Sequence, residues 1–234
     1  MHIFYSEATN GNTVALSEEE SYHAVKVLRL RVGQEVQITN GTGAWYKCRL
    51  VDIHSKRMVA EIYETTTKPQ RTFNLHIAVA PPKNIDRFEW FLEKATECGI
   101  DEITPVFCAN SERTSIKPER LKKILVSAMK QSLRAYLPVL NPETPLKAFL
   151  SKDFQAVKMI AHCKNGIKNT ITEVYAADKN AVLLIGPEGD FTMDEVQSAL
   201  NKGYQPVTMG EYRLRTETAA LAACIHLNFI NGLL

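Results

Sequence analysis

With 234 residues, 45% of them hydrophobic and 23% charged, the chain can bury a core in one large domain or two small ones. Its 28 basic and 26 acidic residues leave a net charge of +2, which excludes a global polycation and confines any nucleic-acid surface to a local patch. The five cysteines form no C-x-x-C pair and no Cys/His cluster of ligand spacing. With no signal-peptide pattern and no apolar run of eighteen residues, the expectation is a reduced, cytoplasmic protein with no metal and no membrane segment.

Residues 1–68 read as a β-rich domain. Segments 35–39 and 45–51 alternate in character, and Asn40-Gly41-Thr42-Gly43 between them is a hairpin signal. Residues 59–63 supply another strand. Ser17 followed by Glu20 predicts one capped helix, with Glu20 reaching back to form a capping box. The expectation is a small antiparallel barrel with one helix. His23, Lys26, Arg29 and Arg31 are interleaved with Val25, Val27, Leu28 and Leu30, which suits either a solvated helix face or a basic patch for RNA.

After the polar junction Thr65-Thr66-Thr67-Lys68-Pro69, strands alternate with helices through residues 69–234, the pattern of a parallel α/β sheet. Residues 75–80 form a buried-type strand. Ile85, Phe88, Leu92 and Ala95 recur at helical spacing, and Gly99 closes that helix. A strand over 103–107 precedes a helix opened by Pro118, with Leu121, Ile124, Leu125 and Ala128 on one face. Strands follow at 157–161 and 181–185. Thr192 and Glu195 make a second capping box, a short strand ends at Val207-Thr208, and the last helix spans 216–229.

Two glycine-anchored runs stand out, 185–191 (Ile185-Gly186-Pro187-Glu188-Gly189-Asp190-Phe191) and 209–219 (beginning Met209-Gly210). Each follows a strand and leads into a helix, which is how an open α/β sheet builds a ligand crevice. Neither is a phosphate loop or a dinucleotide fingerprint. Glu188, Asp190, Asp194 and Glu195 crowd the helix start after the first run, which disfavours an anion and favours a neutral or cationic ligand. In the second run Thr216 reads as an N-cap with solvated arginines before it, or else Arg215 grips a ligand at the crevice. Lys83, Arg87, Arg113, Lys130 and Arg134 add positive charge at loop or helix ends, suited to salt-dependent RNA contact. His162 sits where a strand ends, beside Cys163; the other histidines read as structural.

Taken together, five motifs in order resemble the family of small-subunit (16S) ribosomal RNA uridine-N3 methyltransferases of the SPOUT superfamily. They are His23-Ala24-Val25-Lys26-Val27-Leu28-Arg29-Leu30 with Gly33, Glu93-Lys94-Ala95-Thr96-Glu97 with Gly99, Gln131-Ser132 with Leu137-Pro138, and the two glycine runs. The resemblance covers essentially the whole chain. It implies an N-terminal PUA-like RNA-binding β-barrel (1–68) followed by a SPOUT α/β domain (69–234) with a C-terminal trefoil knot that binds S-adenosylmethionine, acting as a homodimer on small-subunit rRNA or the assembled subunit. It implies cofactor contacts by His162, Leu184, Ile185, Gly186, Pro187, Gly189, Met209, Gly210, Leu214, Arg215, Thr216 and Thr218. Catalysis falls to Arg215, stabilising negative charge on the base, and to Glu217 as proton acceptor. RNA contact falls to His23, Lys26, Arg29, Lys83, Arg87, Arg113 and Arg134. The chain departs from the family pattern at Asp190, where a glycine is usual, at Met209 and at Tyr212-Arg213. The alternatives are a non-catalytic RNA-binding module on the same fold, a methyltransferase for another RNA, and a nucleotide-dependent enzyme of doubly wound type.

Overall fold

The computed structural model describes every residue except Met1 and Ala8. The chain forms two compact units, Met1–Gln70 with Met129–Leu137, and Arg71–Ala128 with Pro138–Leu234. The first unit is therefore not contiguous, unlike the expected division at residue 68. Among the described residues no helix is long and apolar enough to cross a membrane.

In the first unit, β1 (Ile3–Tyr5), β2 (Thr13–Ala15), α1 (Glu18–Tyr22), a π-helical turn at His23–Val27, β3 (Glu35–Thr39), β4 (Ala44–His54) and β5 (Arg57–Thr67) follow in order. The sheet order is β1-β3-β4-β5-β2, with β1 parallel to β3 and the remaining pairs antiparallel. The expected antiparallel barrel is thus a five-stranded mixed sheet with β1 and β2 at its edges. Asn40 sets the hairpin turn: its Oδ1 accepts the amides of Thr42 at 2.9 Å and Ala44 at 3.0 Å. Phe4, Val14, Val36, Ile38, Leu50 and Met58 fill the core. The capping box on α1 is half made. Ser17 accepts the Glu20 amide at 3.3 Å, but the Glu20 carboxylate pairs instead with Lys130 Nζ. Tyr136 donates to the Lys68 carbonyl at 2.9 Å and the Gly43 amide to Ala135, so residues 129–137 are built into this unit.

The second unit runs β6 (Leu75–Val79), α2 (Ile85–Cys98), β7 (Glu102–Phe107), α3 (Pro118–Gln131), β8 (Val139–Leu140), β9 (Thr144–Pro145), α4 (Leu146–Leu150), β10 (Val157–Ala161), β11 (Asn169–Thr170), α5 (Ile171–Val174), β12 (Ala181–Ile185), α6 (Met193–Asn201), β13 (Gln205–Thr208) and α7 (Thr216–Ile230). The last turn of α3 falls within the segment assigned to the first unit. Its strands are all parallel in the order β11-β13-β10-β12-β6-β7-β8, and β9 also pairs with β7. β6 and β12 are buried along their whole length, as expected of parallel strands covered on both faces. Asn84 caps α2 by accepting the Asp86 amide at 3.0 Å, and Gly99 closes it at φ 104°. The apolar face of α2 (Phe88, Phe91, Leu92, Ala95) is buried, and α2 packs against α7.

β10 lies between β12 and β13, and Ala161 pairs with Ile185 on one side and Val207 on the other. Three strand ends therefore finish level, and the loops that leave them share one space. α7 is fixed to that space by Thr216, whose Oγ1 donates to the Gly186 carbonyl at 3.0 Å. The expected N-cap role of Thr216 is corrected here. Arg215 occupies the cap position without a side-chain cap bond, and Thr216 is the first helical residue, its hydroxyl spent on the neighbouring loop.

The Thr216→Val substitution keeps the shape and removes this bond, leaving a buried carbonyl unsatisfied, and should cost about 1–3 kcal/mol in denaturant unfolding. A change within error would show that the loops are held by something else. A second expectation concerns His76, buried between Phe149 and Phe154 with Nε2 2.7 Å from Thr104 Oγ1. Burial pulls its pKa down to about 4, against the opposing pull of Glu102. As pH falls from about 6.5 towards 4 the unfolded chain accepts a proton that the folded chain refuses, so stability is present above this window and lost through it. The loss attributable to His76 is on the order of 3 kcal/mol. Unfolding curves between pH 7 and 4 should show a shallower decline for His76→Leu than for the native chain.

Candidate active site

The loops after β10, β12 and β13 enclose a cavity of about 640 Å³. Each loop is held in place by its own sequence. In the first run, a side chain at Gly186 would stand 3.0 Å from the Phe191 ring, and one at Gly189 would stand 3.0 Å from Asn110 Cβ. A side chain at either position would crowd the packing inside the turn. Asp190 takes the left-handed conformation at φ 61°, which aspartate tolerates better than most residues. Its carboxylate accepts the Phe191 amide at 2.8 Å and the Cys163 amide at 3.0 Å. The departure from glycine thus fits the turn and ties the β12 loop to the β10 loop.

In the second run, Thr208 and Gly210 close a tight turn through the threonine hydroxyl. Gly210 has φ 130°, and no protein atom lies within 4 Å of the place a Cβ would take. It is the glycine that leaves backbone open to a ligand. The Arg213 guanidinium donates to the Glu188 carbonyl at 3.1 Å, fastening the second run to the first. Arg215 borders the cavity, and its side chain makes no hydrogen bond or ion pair with the described residues.

Most of the acidic residues around the first run are engaged by backbone amides. Glu188 accepts the Lys83 amide at 3.0 Å, and Glu195 accepts the amides of Ala109 and Thr192, both at 2.8 Å. Asp190 is engaged as described, and Asp194 lies exposed in the first turn of α6. These carboxylates satisfy loop amides. The cavity wall also carries Arg87, Lys168, Arg213 and Arg215, a cationic set against Glu188, Asp190 and Glu211. His162 is half-buried there, with Nδ1 buried and without a partner. Burial, with the nearby Lys168 ammonium next, pulls its pKa below the ordinary histidine value, so it is neutral at pH 7.

Of the expected cofactor residues, the structure brings His162, Ile185, Gly186, Pro187, Met209, Gly210, Leu214, Arg215 and Thr216 to this cavity. Leu184 is instead buried within β12, Gly189 faces Asn110, and Thr218 is exposed on α7. Glu217 does not border the cavity either; it is buried in the first turn of α7. Among the expected RNA residues only Arg87 reaches the wall. Arg113 is a strut, donating to the carbonyls of Pro82 and Lys83, and the Lys83 amine pairs with Glu112 at 2.6 Å. His23, Lys26 and Arg29 are exposed on and just after the π-helical turn of the first unit, with Arg29 at φ 54°. Arg134 is half-buried in that same unit. Lys168, Val207, Thr208 and Ala219 border the cavity without having been singled out by sequence; Lys168 precedes a two-residue strand that has no periodicity to mark it.

Residues 68–228 match the family described as RNA methyltransferase domain, and residues 16–63 match the RNA methyltransferase PUA domain. The ribosomal RNA small subunit methyltransferase E of Mesomycoplasma hyopneumoniae is 30% identical across 94% of this chain and 96% of its own length. A probable rRNA-methyltransferase from Porphyromonas gingivalis has a crystal structure that superposes with a TM-score of 0.91 at 35% identity, covering 99% of both chains. The crystal structure of ribosomal RNA small subunit methyltransferase E from Neisseria gonorrhoeae, bound to S-adenosyl methionine, matches with a TM-score of 0.84 at 28% identity, covering 98% of each. The domain match alone spans well over half of the residues, and the chain belongs to the RNA methyltransferase family, with a PUA domain ahead of its methyltransferase domain.

Proposed function

We propose that this chain transfers a methyl group from S-adenosylmethionine to N3 of a uridine in small-subunit (16S) ribosomal RNA. The observation that carries the reading is the single cavity made by three level strand ends, with the unpartnered Arg215 side chain in its wall. The residues present fit the cofactor. About 640 Å³ lies within the size range of small-molecule pockets, Ile185, Pro187, Val207 and Leu214 offer apolar walls, and the open backbone at Gly210 and the orphaned His162 Nδ1 offer polar contacts. The reading includes a trefoil knot in the C-terminal segment, a homodimer whose partner completes each site, RNA contact by the N-terminal domain, and a cytoplasmic location.

When bound, S-adenosylmethionine supplies an electrophilic methyl group on a sulfonium. The chain's own residues do the rest. Uridine N3 carries a proton and is a poor nucleophile, so the site must favour its loss; the S–CH3 bond breaks, the N3–CH3 bond forms and the N3 proton leaves to solvent. Arg215 stabilises the negative charge that develops on the base oxygens. The loops after β10, β12 and β13 hold donor and acceptor in line. Because N3 lies on the pairing edge, the uridine must be unpaired or extruded to reach the cavity.

Mass mapping of 16S rRNA from a strain lacking this chain should show one 3-methyluridine missing, restored when the chain is returned. An unchanged modification pattern would refute the assignment, and RNA binding without methyl transfer would leave only a binding module. The Arg215→Ala variant should bind S-adenosylmethionine within about threefold of the native chain, yet lose roughly 100- to 1,000-fold in kcat. Near-native turnover would remove Arg215 from the mechanism.

A further inference from the structure

Glu217 is the expected proton acceptor, but its position in the structure favours a different role. Its side chain is only 9% exposed, it stands outside the cavity wall, and its Oε2 is buried without a hydrogen-bond partner. Its Oε1 lies 3.7 Å from Arg87 Nε, too long for a direct hydrogen bond but well within electrostatic reach. A buried carboxylate oxygen without a hydrogen-bond partner is costly, and for packing alone an apolar side chain would serve better.

Arg87 is the other half of the argument. It belongs to the first turn of α2, where a positive side chain faces the positive end of the helix dipole, an unfavourable place for it in isolation. It is 38% exposed and borders the cavity, and its guanidinium forms no hydrogen bond with the described residues. The wall thus holds two guanidiniums with unspent donors, Arg87 and Arg215, in a cavity whose carboxylates are largely occupied with loop amides. Such donors match an oxyanion, and the planar fork of arginine suits phosphate.

We propose that Glu217 is a positioning residue: it steers the Arg87 guanidinium into the cavity wall, where its free N–H groups grip a phosphodiester oxygen of the RNA substrate. This rests on the RNA methyltransferase reading. The Thr216 bond to Gly186 presses the start of α7 against the first glycine run, and the next residue is thereby buried beside α2. Glu217 acts through Arg87 and touches neither donor nor acceptor.

The test is a double-substitution cycle on the full chain, with undermethylated small subunits from a deletion strain as substrate. Steady-state kinetics, S-adenosylmethionine affinity by calorimetry and melting temperature are measured for Arg87→Ala, Glu217→Gln, Glu217→Ala and the paired variants. Arg87→Ala should raise the KM for subunits about tenfold, with kcat and cofactor affinity each within threefold. It should also lower the slope of log affinity against log salt by about 1. Glu217→Ala should reproduce that pattern, and Glu217→Gln, which keeps an acceptor oxygen facing Arg87, should fall between it and the native chain. In the Arg87→Ala background either Glu217 change should add less than twofold. If Glu217→Ala does not fold, Glu217→Gln carries the cycle.

A hundredfold loss of kcat in Glu217→Gln at unchanged KM would overturn the proposal in favour of a proton acceptor. Losses that multiply in the double variant would overturn it in favour of a structural role. Weaker cofactor binding by Arg87→Ala at unchanged subunit KM would assign the arginine to the cofactor carboxylate instead. Absence of methyl transfer by the native chain would sink the underlying reading, whatever the two residues do for RNA affinity.

Discussion

The register of β10 governs the site. Because Ala161 stands opposite both Ile185 and Val207, the three adjacent strands β13, β10 and β12 end at one level and their exit loops converge. A slip of one residue on either side would exchange inward and outward side chains along the strand and separate the loops. The cross-loop bonds then become geometrically available: Asp190 to the Cys163 amide, Arg213 to the Glu188 carbonyl, and Thr216 to the Gly186 carbonyl. Each is modest alone, on the order of 1 kcal/mol net, but together they join three loops into one wall.

That wall has a consistent electrostatic logic. Carboxylates near the cavity accept backbone amides, which shape the loops and offset part of the carboxylates' burial. Guanidiniums are left with donors to spare. The wall therefore carries both signs of charge, Arg87, Lys168, Arg213 and Arg215 beside Glu188, Asp190 and Glu211. His162, neutral because it is half-buried near Lys168, adds polarity without adding charge.

Much of the fold was legible because the second unit's central elements carry strong local signals. β12 is five apolar residues in a row, α2 has an N-cap and a terminal glycine, and α6 begins with a complete capping box. The strands and α-helices that the sequence did not announce, β1, β2, β8, β9, β11, α4 and α5, span two to five residues each, too few to establish a period. The cavity-lining residues were mostly legible through the glycine runs. The errors have a common physical source in long-range partners. The amides that occupy Glu188, Asp190 and Glu195 lie 105, 27 and 86 residues away, so the acids looked like a free rim. Thr216 and Glu217 carry the local signature of a capped, solvated helix start, and only the meeting of α7 with the β12 loop and α2 buries them. The open sheet edges of the first unit likewise depend on β1 pairing parallel to β3, which a hairpin pattern does not announce.

The return of residues 129–137 to the first unit has a consequence for how the chain acquires its structure. Glu20 waits 110 residues for Lys130, and Lys68 waits 68 residues for Tyr136. During synthesis from the N-terminus, the first unit is incomplete until the helix and strands between have been made and the segment after α3 has left the ribosome. The first unit is therefore not a bead that folds first and waits. Cutting the chain near residue 70 yields a fragment without its own last piece, residues 129–137.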